Sequence, residues 1–107
     1  MKRYRVRLHP RVHDDFRAIE RSMRPHAGAA TTKQILRELR QAALALADTP
    51  HRGTLRTELF SGLRVIGASP RGSIAFSVDD AKREVFVHIV SYGGFDWESR
   101  VRDRRRH

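Results

Sequence analysis

Residues 4–8, Tyr4-Arg5-Val6-Arg7-Leu8, alternate apolar and charged side chains, the two-residue period of a strand with one buried face. After Pro10 the period changes. Val12, Phe16, Ile19 and Met23 recur at spacings of four, three and four, with Asp14, Asp15, Arg17, Glu20 and Arg21 between them. This stripe predicts an amphipathic helix of about fourteen residues. Pro10 is tolerated in a first turn, and the aspartates suit the positive end of the helix dipole. Arg24-Pro25 closes it. A second stripe, Ile35, Leu36, Leu39, Ala42, Ala43 and Leu46, predicts a second helix ended by Asp48-Thr49-Pro50. Its start has two readings: Thr31 with Gln34 as a capping box, or a longer helix from Pro25. Either way two helices joined by a short break form a hairpin whose stripes face the same partner.

From His51 to Gly62 the pattern is polar and irregular and predicts a long loop. Leu63–Ala68 reads as a strand, and Ser69-Pro70-Arg71-Gly72 as a turn. Ile74, Phe76 and Val78 alternate with smaller or polar residues, giving a strand with one apolar face. Asp79–Arg83 is a hairpin loop, and Val85–Val90 is apolar on both faces, as for a strand in the middle of a sheet. The predicted order is β-α-α-β-β-β. It implies an α+β fold in which a helical hairpin packs on one face of a small, mostly antiparallel sheet. Residues 1–99 read as one domain and 100–107, with five arginines, as a flexible basic tail.

Composition narrows the setting. A chain of 107 residues supports one small core. It has no cysteine, which excludes disulfides and thiolate metal sites and fits a reducing cytoplasm. No segment approaches the roughly 20 apolar residues of a membrane span, and the six histidines lack zinc-ligand spacing. No metal or cofactor is expected. The 22 basic against 12 acidic side chains, a formal +10, favour polyanions or acidic proteins as partners. Arginine dominates, and its fork suits phosphate and carboxylate alike. Charge alone therefore does not separate a nucleic acid from an acidic protein, and the tail is a candidate nucleic-acid contact.

Four stretches in order resemble the RelE/ParE superfamily, the toxins of bacterial type II toxin–antitoxin pairs. They are "YRVRLHPRVHDDFRAI", "ILRELRQAALALADTPHRG", "GLRVIGASPRGSIAFSVDD" and "VFVHIVSYGGFDWE", spanning roughly residues 3–98. His9 stands where the family usually has Ser or Thr. The resemblance implies a cognate antitoxin and one of two activities. RelE-type members cut messenger RNA on the ribosome; ParE-type members are linked to inhibition of DNA gyrase and lack the nuclease residues. Metal-free RNA cleavage needs a base for the 2′-OH, cations for the phosphorane and an acid for the leaving oxygen. Here Arg64, Arg71 and Tyr92 are the candidates for a nuclease. Gly93-Gly94-Phe95 occupies the place of an expected arginine, and no lysine falls on the predicted strands, so the resemblance favours the ParE-like branch.

The remaining expectations concern single residues. Arg64, Arg71, Tyr92, Trp97, Arg100 and Arg102 are the candidates for contact with an antitoxin or target. Each has a plainer role. Arg64, between Leu63 and Val65 on the pleat, is expected to point off the core face into solvent. Arg71 sits in a turn. Tyr92 and Trp97 would seal the end of the sheet against the helices. His88 reads as a structural histidine, and Gly93-Gly94 as the turn off the last strand.

Overall fold

The computed structural model describes residues 3–94 and 96–104. In chain order the elements are β1 (Arg5–Leu8), α1 (Val12–Leu44), β2 (Thr54–Leu55), β3 (Arg64–Ala68), β4 (Gly72–Asp79), β5 (Glu84–Tyr92) and α2 (Glu98–Val101). Turns of 3-10 helix follow α1 at Ala45–Ala47 and α2 at Arg102–Arg104. The sheet runs β1-β5-β4-β3-β2. β1 lies parallel to β5, and the other three pairings are antiparallel. The fold is α+β, as the patterning implies, with a five-stranded mixed sheet, one strand more than expected.

α1 contains both predicted helices. A straight rod of its 33 residues would measure about 50 Å, more than the 43 Å length of the whole molecule. It folds back instead at Gly28, whose φ of 84° and ψ of 167° are far from helical. Glycine reaches that conformation without a Cβ penalty. The predicted break at Arg24-Pro25 is thus displaced. Pro25 stays inside the first arm, on the exposed side, and the second arm begins beyond Gly28 rather than at Thr31 or Pro25. The arms lie side by side, with the Arg40 guanidinium 4.8 Å from the Phe16 ring centre. Val12, Phe16 and Ile19 from one arm and Ile35, Leu39 and Ala43 from the other are buried against Ile66, Ile74, Phe76, Val85 and Val87.

The opposite face carries a second, smaller core. Leu63, Ala75 and Ile89 meet Trp97 and Val101, with Leu59, Phe60 and Val65 at the margin. α2 and the chain before β3 therefore cover one end of this face. The other end is open. A register shift explains why β5 is apolar on both sides. The ladder steps from Phe76↔Val87 to Ala75↔Ile89, so His88 has no partner across it. That bulge moves the helix-side parity from Val85 and Val87 to Val90.

Other differences follow from long-range contacts. The predicted loop 51–62 contains the short strand β2, which pairs with Arg64 and Val65. Leu8, expected on a buried face, is 44% exposed at the end of β1, an edge strand of the sheet. Residues 100–104 are not a loose tail: Val101 and Arg104 are fully buried. Residues 105–107 lie outside the described set. No helix among the described residues is long and apolar enough to cross a membrane.

Candidate functional site

The predicted site residues occupy three separate places. Arg71, Tyr92 and Arg100 gather where the β3–β4 turn meets the end of β5. Tyr92 pairs with Gly72 across the ladder, and the Gly93 N–H donates to the Arg71 carbonyl at 2.9 Å. Gly93 has a φ of 76°, so the first glycine of the pair does turn the chain off the strand. Tyr92 packs on the helix-side core. With Arg100, Asp15, Ile19 and Ser22 it lines a cleft of about 100 Å³ between α1 and β5. Phe95 lies outside the described residues.

Arg64 is at the other end of β3, roughly 13 Å along the strand from the turn at a rise of about 3.3 Å per residue. Its predicted orientation is inverted. Val65 belongs to the smaller core, whereas Arg64 pairs with Phe76, whose side chain is in the helix-side core, and alternates with Ile66. The side chain extends along the helix side of the sheet and donates to the His51 carbonyl at 3.0 Å. Beside it stands a polar cluster that sequence reading missed. Asp80 accepts from the Tyr4 hydroxyl at 2.7 Å and meets His51 Nε2 at 2.6 Å. These contacts hold the Asp80 carboxyl below its usual pKa, and the carboxylate raises that of Tyr4.

Trp97 and Arg102 form the third place. Trp97 is buried in the smaller core, on the sheet face away from the helical hairpin, with the Arg56 guanidinium 5.6 Å from its ring centre. It seals the sheet, but against α2 rather than α1. Arg102 donates to the carbonyls of Leu59 and Glu58 at 3.0 and 3.2 Å, tying α2 to the chain before β3. Both side chains hold the fold together.

One buried polar pair was also missed. Arg104 forms a bidentate pair with Asp15 at 2.6 and 2.8 Å, and Asp15 also accepts the Val90 N–H at 3.0 Å. Asp15 did carry a signal. It lies three residues after Val12 and four before Ile19, on the apolar stripe, where a carboxylate requires a cation. Arg104 had none, being one arginine in a run. His88, read from the sequence as a structural histidine, is buried at the bulge and bonded to Ser77 Oγ at 2.8 Å. No group of three or more metal-ligating side chains converges among the described residues.

A model of the ParE toxin of type II toxin–antitoxin systems matches residues 6–92. The chain belongs to the ParE toxin family. No curated protein sequence matches it. Among solved structures it is similar to one from the chromosomal ParDE system of P. aeruginosa, at 14% identity and a TM-score of 0.71, covering 83% of this chain and 95% of that one. A chain of the RelBE2 toxin–antitoxin complex from Mycobacterium tuberculosis gives 20% identity and 0.67, covering 89% and 97%. A mutant of the E. coli toxin RelE in the free state gives 17% and 0.65, covering 96% and 97%. At these identities the likeness is one of fold. In this ParE-family chain the three nuclease candidates are split, Arg64 from Arg71 and Tyr92, and the described lysines, Lys33 and Lys82, lie on α1 and in the β4–β5 turn.

Proposed function

We propose that this ParE-family toxin stops growth by binding its target, with DNA gyrase the favoured candidate, and that a cognate antitoxin neutralises it. The separation of Arg64 from Arg71 and Tyr92 carries the reading. A phosphorane needs its cations and its acid within hydrogen-bond reach of one phosphate, and roughly 13 Å along a strand is too far for that. The match to the ParE model and the absence of lysine from the described strands agree with it. An antitoxin is inferred from the toxin–antitoxin assemblies in which two of the similar structures were solved. The +10 charge suits an acidic neutralising segment.

A free nucleic-acid-binding arm gains little support from residues 100–104. Arg102 is spent on main-chain carbonyls and Arg104 on Asp15. The deciding experiment is a supercoiling assay with purified protein and gyrase, beside mapping of messenger-RNA 5′ ends after induction. Blocked supercoiling with an unchanged pattern of 5′ ends is expected. New 5′ ends with supercoiling intact would transfer the assignment to the ribosome-dependent nuclease.

A further inference from the structure

The open end of the sheet face away from the helical hairpin holds a groove of about 280 Å³ whose lining includes Arg7, Ser77, Phe86 and His88 together with the acidic Asp79 and Glu84. None of these residues belongs to the places described above for target or antitoxin. Ser77 and Phe86 are ladder partners, and the bulge sets His88 beside them on this face. His88 is 2% exposed, whereas Ser77 and Phe86 are only partly covered. The rings of Phe60 and Phe86 stand edge-on to the imidazole, with centres 5.1 and 4.8 Å away. They fix its plane.

The hydrogen bonds fix its tautomer. His88 Nδ1 lies 3.3 Å from the Arg104 carbonyl. A carbonyl only accepts, so Nδ1 carries the proton. Nε2 is then the bare nitrogen, and the Ser77 hydroxyl 2.8 Å away donates to it. The carbonyl is itself well placed, because the same residue's guanidinium is locked on Asp15 and also donates to the His88 carbonyl at 3.3 Å. Burial moreover lowers the His88 pKa to about 4, which keeps Nε2 unprotonated at neutral pH.

A hydroxyl on a neutral imidazole, with the imidazole oriented by a third group, is the arrangement of an activated nucleophile. The groove supplies a cation as well: Arg7 lies on its wall with a side chain 56% exposed, its guanidinium 3.6 Å from the Glu84 carboxylate. We propose that Ser77 is a nucleophile that takes an acyl group from an activated carboxylic ester, with His88 as its base and Arg7 facing the developing oxyanion. Ser77 Oγ forms the new bond to the carbonyl carbon, its proton passes to His88 Nε2, and the bond to the leaving oxygen breaks. The leaving oxygen departs as an alkoxide or phenoxide that takes up a proton from imidazolium or solvent. The product is an acyl-Ser77 ester. A buried imidazole that resists protonation drives this slowly and activates the following water poorly, so one acylation rather than turnover is the outcome.

The whole chain treated with p-nitrophenyl acetate at neutral pH should release about one equivalent of nitrophenolate and gain one acetyl group on the peptide containing Ser77. Ser77→Ala should abolish both. His88→Gln, which removes the base but keeps a polar side chain, should slow acylation about 100-fold, with a thermal melt confirming the fold. If that variant fails to fold, the adduct map and Ser77→Ala still decide. Acetyl groups on lysine, tyrosine or the α-amine with Ser77 bare overturn the proposal. So does labelling of Ser77 in folded His88→Gln at the unaltered rate.

Discussion

Arg104 and Asp15 stand 89 residues apart in the chain and form one bidentate pair, at 2.6 and 2.8 Å, with side chains 2% and 6% exposed. The pair fastens the C-terminal turn to the first turn of α1 and, through the Val90 N–H and the His88 carbonyl, to β5. A buried pair of this kind does not stabilise much relative to a well-packed apolar pair, because both ions lose their hydration. Breaking it is another matter. Arg104→Met should cost about 3–5 kcal/mol, since it leaves the Asp15 carboxylate buried and half satisfied. Asp15→Leu with Arg104→Met should recover much of that loss. Urea unfolding of the two single variants and the double variant measures the coupling directly; additive losses would show that the pair does not act as a unit. The same contact means that deletion of residues 100–107 removes part of the core along with the charge. Nucleic-acid binding is better tested by neutralising Arg100 in the full chain.

Stability should fall with acid in a window set by His88. Its folded pKa of about 4 lies below the ordinary value of 6.5 because burial disfavours the imidazolium. The nearby His9 pushes the same way, and the Arg104 carbonyl opposes them. The unfolded chain thus binds the proton more readily. The contribution is fully present above pH 6.5, is lost as pH falls from there to about 4, and amounts to about 3 kcal/mol at most. His88→Gln should flatten this part of the stability profile, measured by urea unfolding at several pH values. A slope between pH 6.5 and 4 that survives the substitution would place its origin elsewhere.

Much of the fold was legible because local pattern and tertiary role coincide. The stripes at Val12, Phe16, Ile19 and Ile35, Leu39 are the buried faces, and the alternation of Ile74 and Phe76 gives β4 its correct face. The failures share one cause: a feature set by something distant in sequence. β2 exists only because β3 offers two residues to pair with. Strict alternation fails at His88, where a bulge shifts parity, and it misplaced Arg64 because Leu63 and Val65 are apolar toward a second core built by Trp97 and Val101. Part of the candidate site was legible too. Tyr92 and Arg100 do share a cleft, whereas the Tyr4–Asp80–His51 cluster joins three segments that carry no pattern linking them.

The hinge of α1 offers a backbone test. A Cβ at Gly28 would meet nothing within 4 Å, so substitution there involves the backbone alone. Gly28→Ala should destabilise by about 1–3 kcal/mol, because its φ of 84° with a ψ of 167° lies in a region essentially reserved for glycine. Gly28→Asn should cost about as much, since the tolerance of Asn for positive φ is confined to the left-handed helical region, far from this ψ. Thermal or urea unfolding measures both. Equal stability for all three residues would mean that the hairpin turns elsewhere.

The antitoxin's place on the surface gives the last prediction, and it rests on the proposed neutralisation by an acidic segment. β2 is only two residues long and covers Arg64 and Val65. Ile66–Ala68 therefore has no strand paired on that side among the described residues. An unpaired edge is a template for an added strand, with main-chain bonds giving affinity and side-chain contacts giving register. Arg64 precedes this edge and Arg71 follows it, so an extended acidic segment of about five residues spans both at roughly 3.3 Å per residue. Arg64→Glu and Arg71→Glu should each weaken the antitoxin at least about tenfold, or about 1.4 kcal/mol. Neither should change folding stability by more than about 0.5–1 kcal/mol, because both side chains are solvated in part. Arg17→Glu, on the exposed side of α1, serves as the control for net charge. Calorimetric titration of the purified antitoxin into each variant reads the effect. Unchanged affinity of a folded Arg64→Glu variant would move the antitoxin away from the β3 edge.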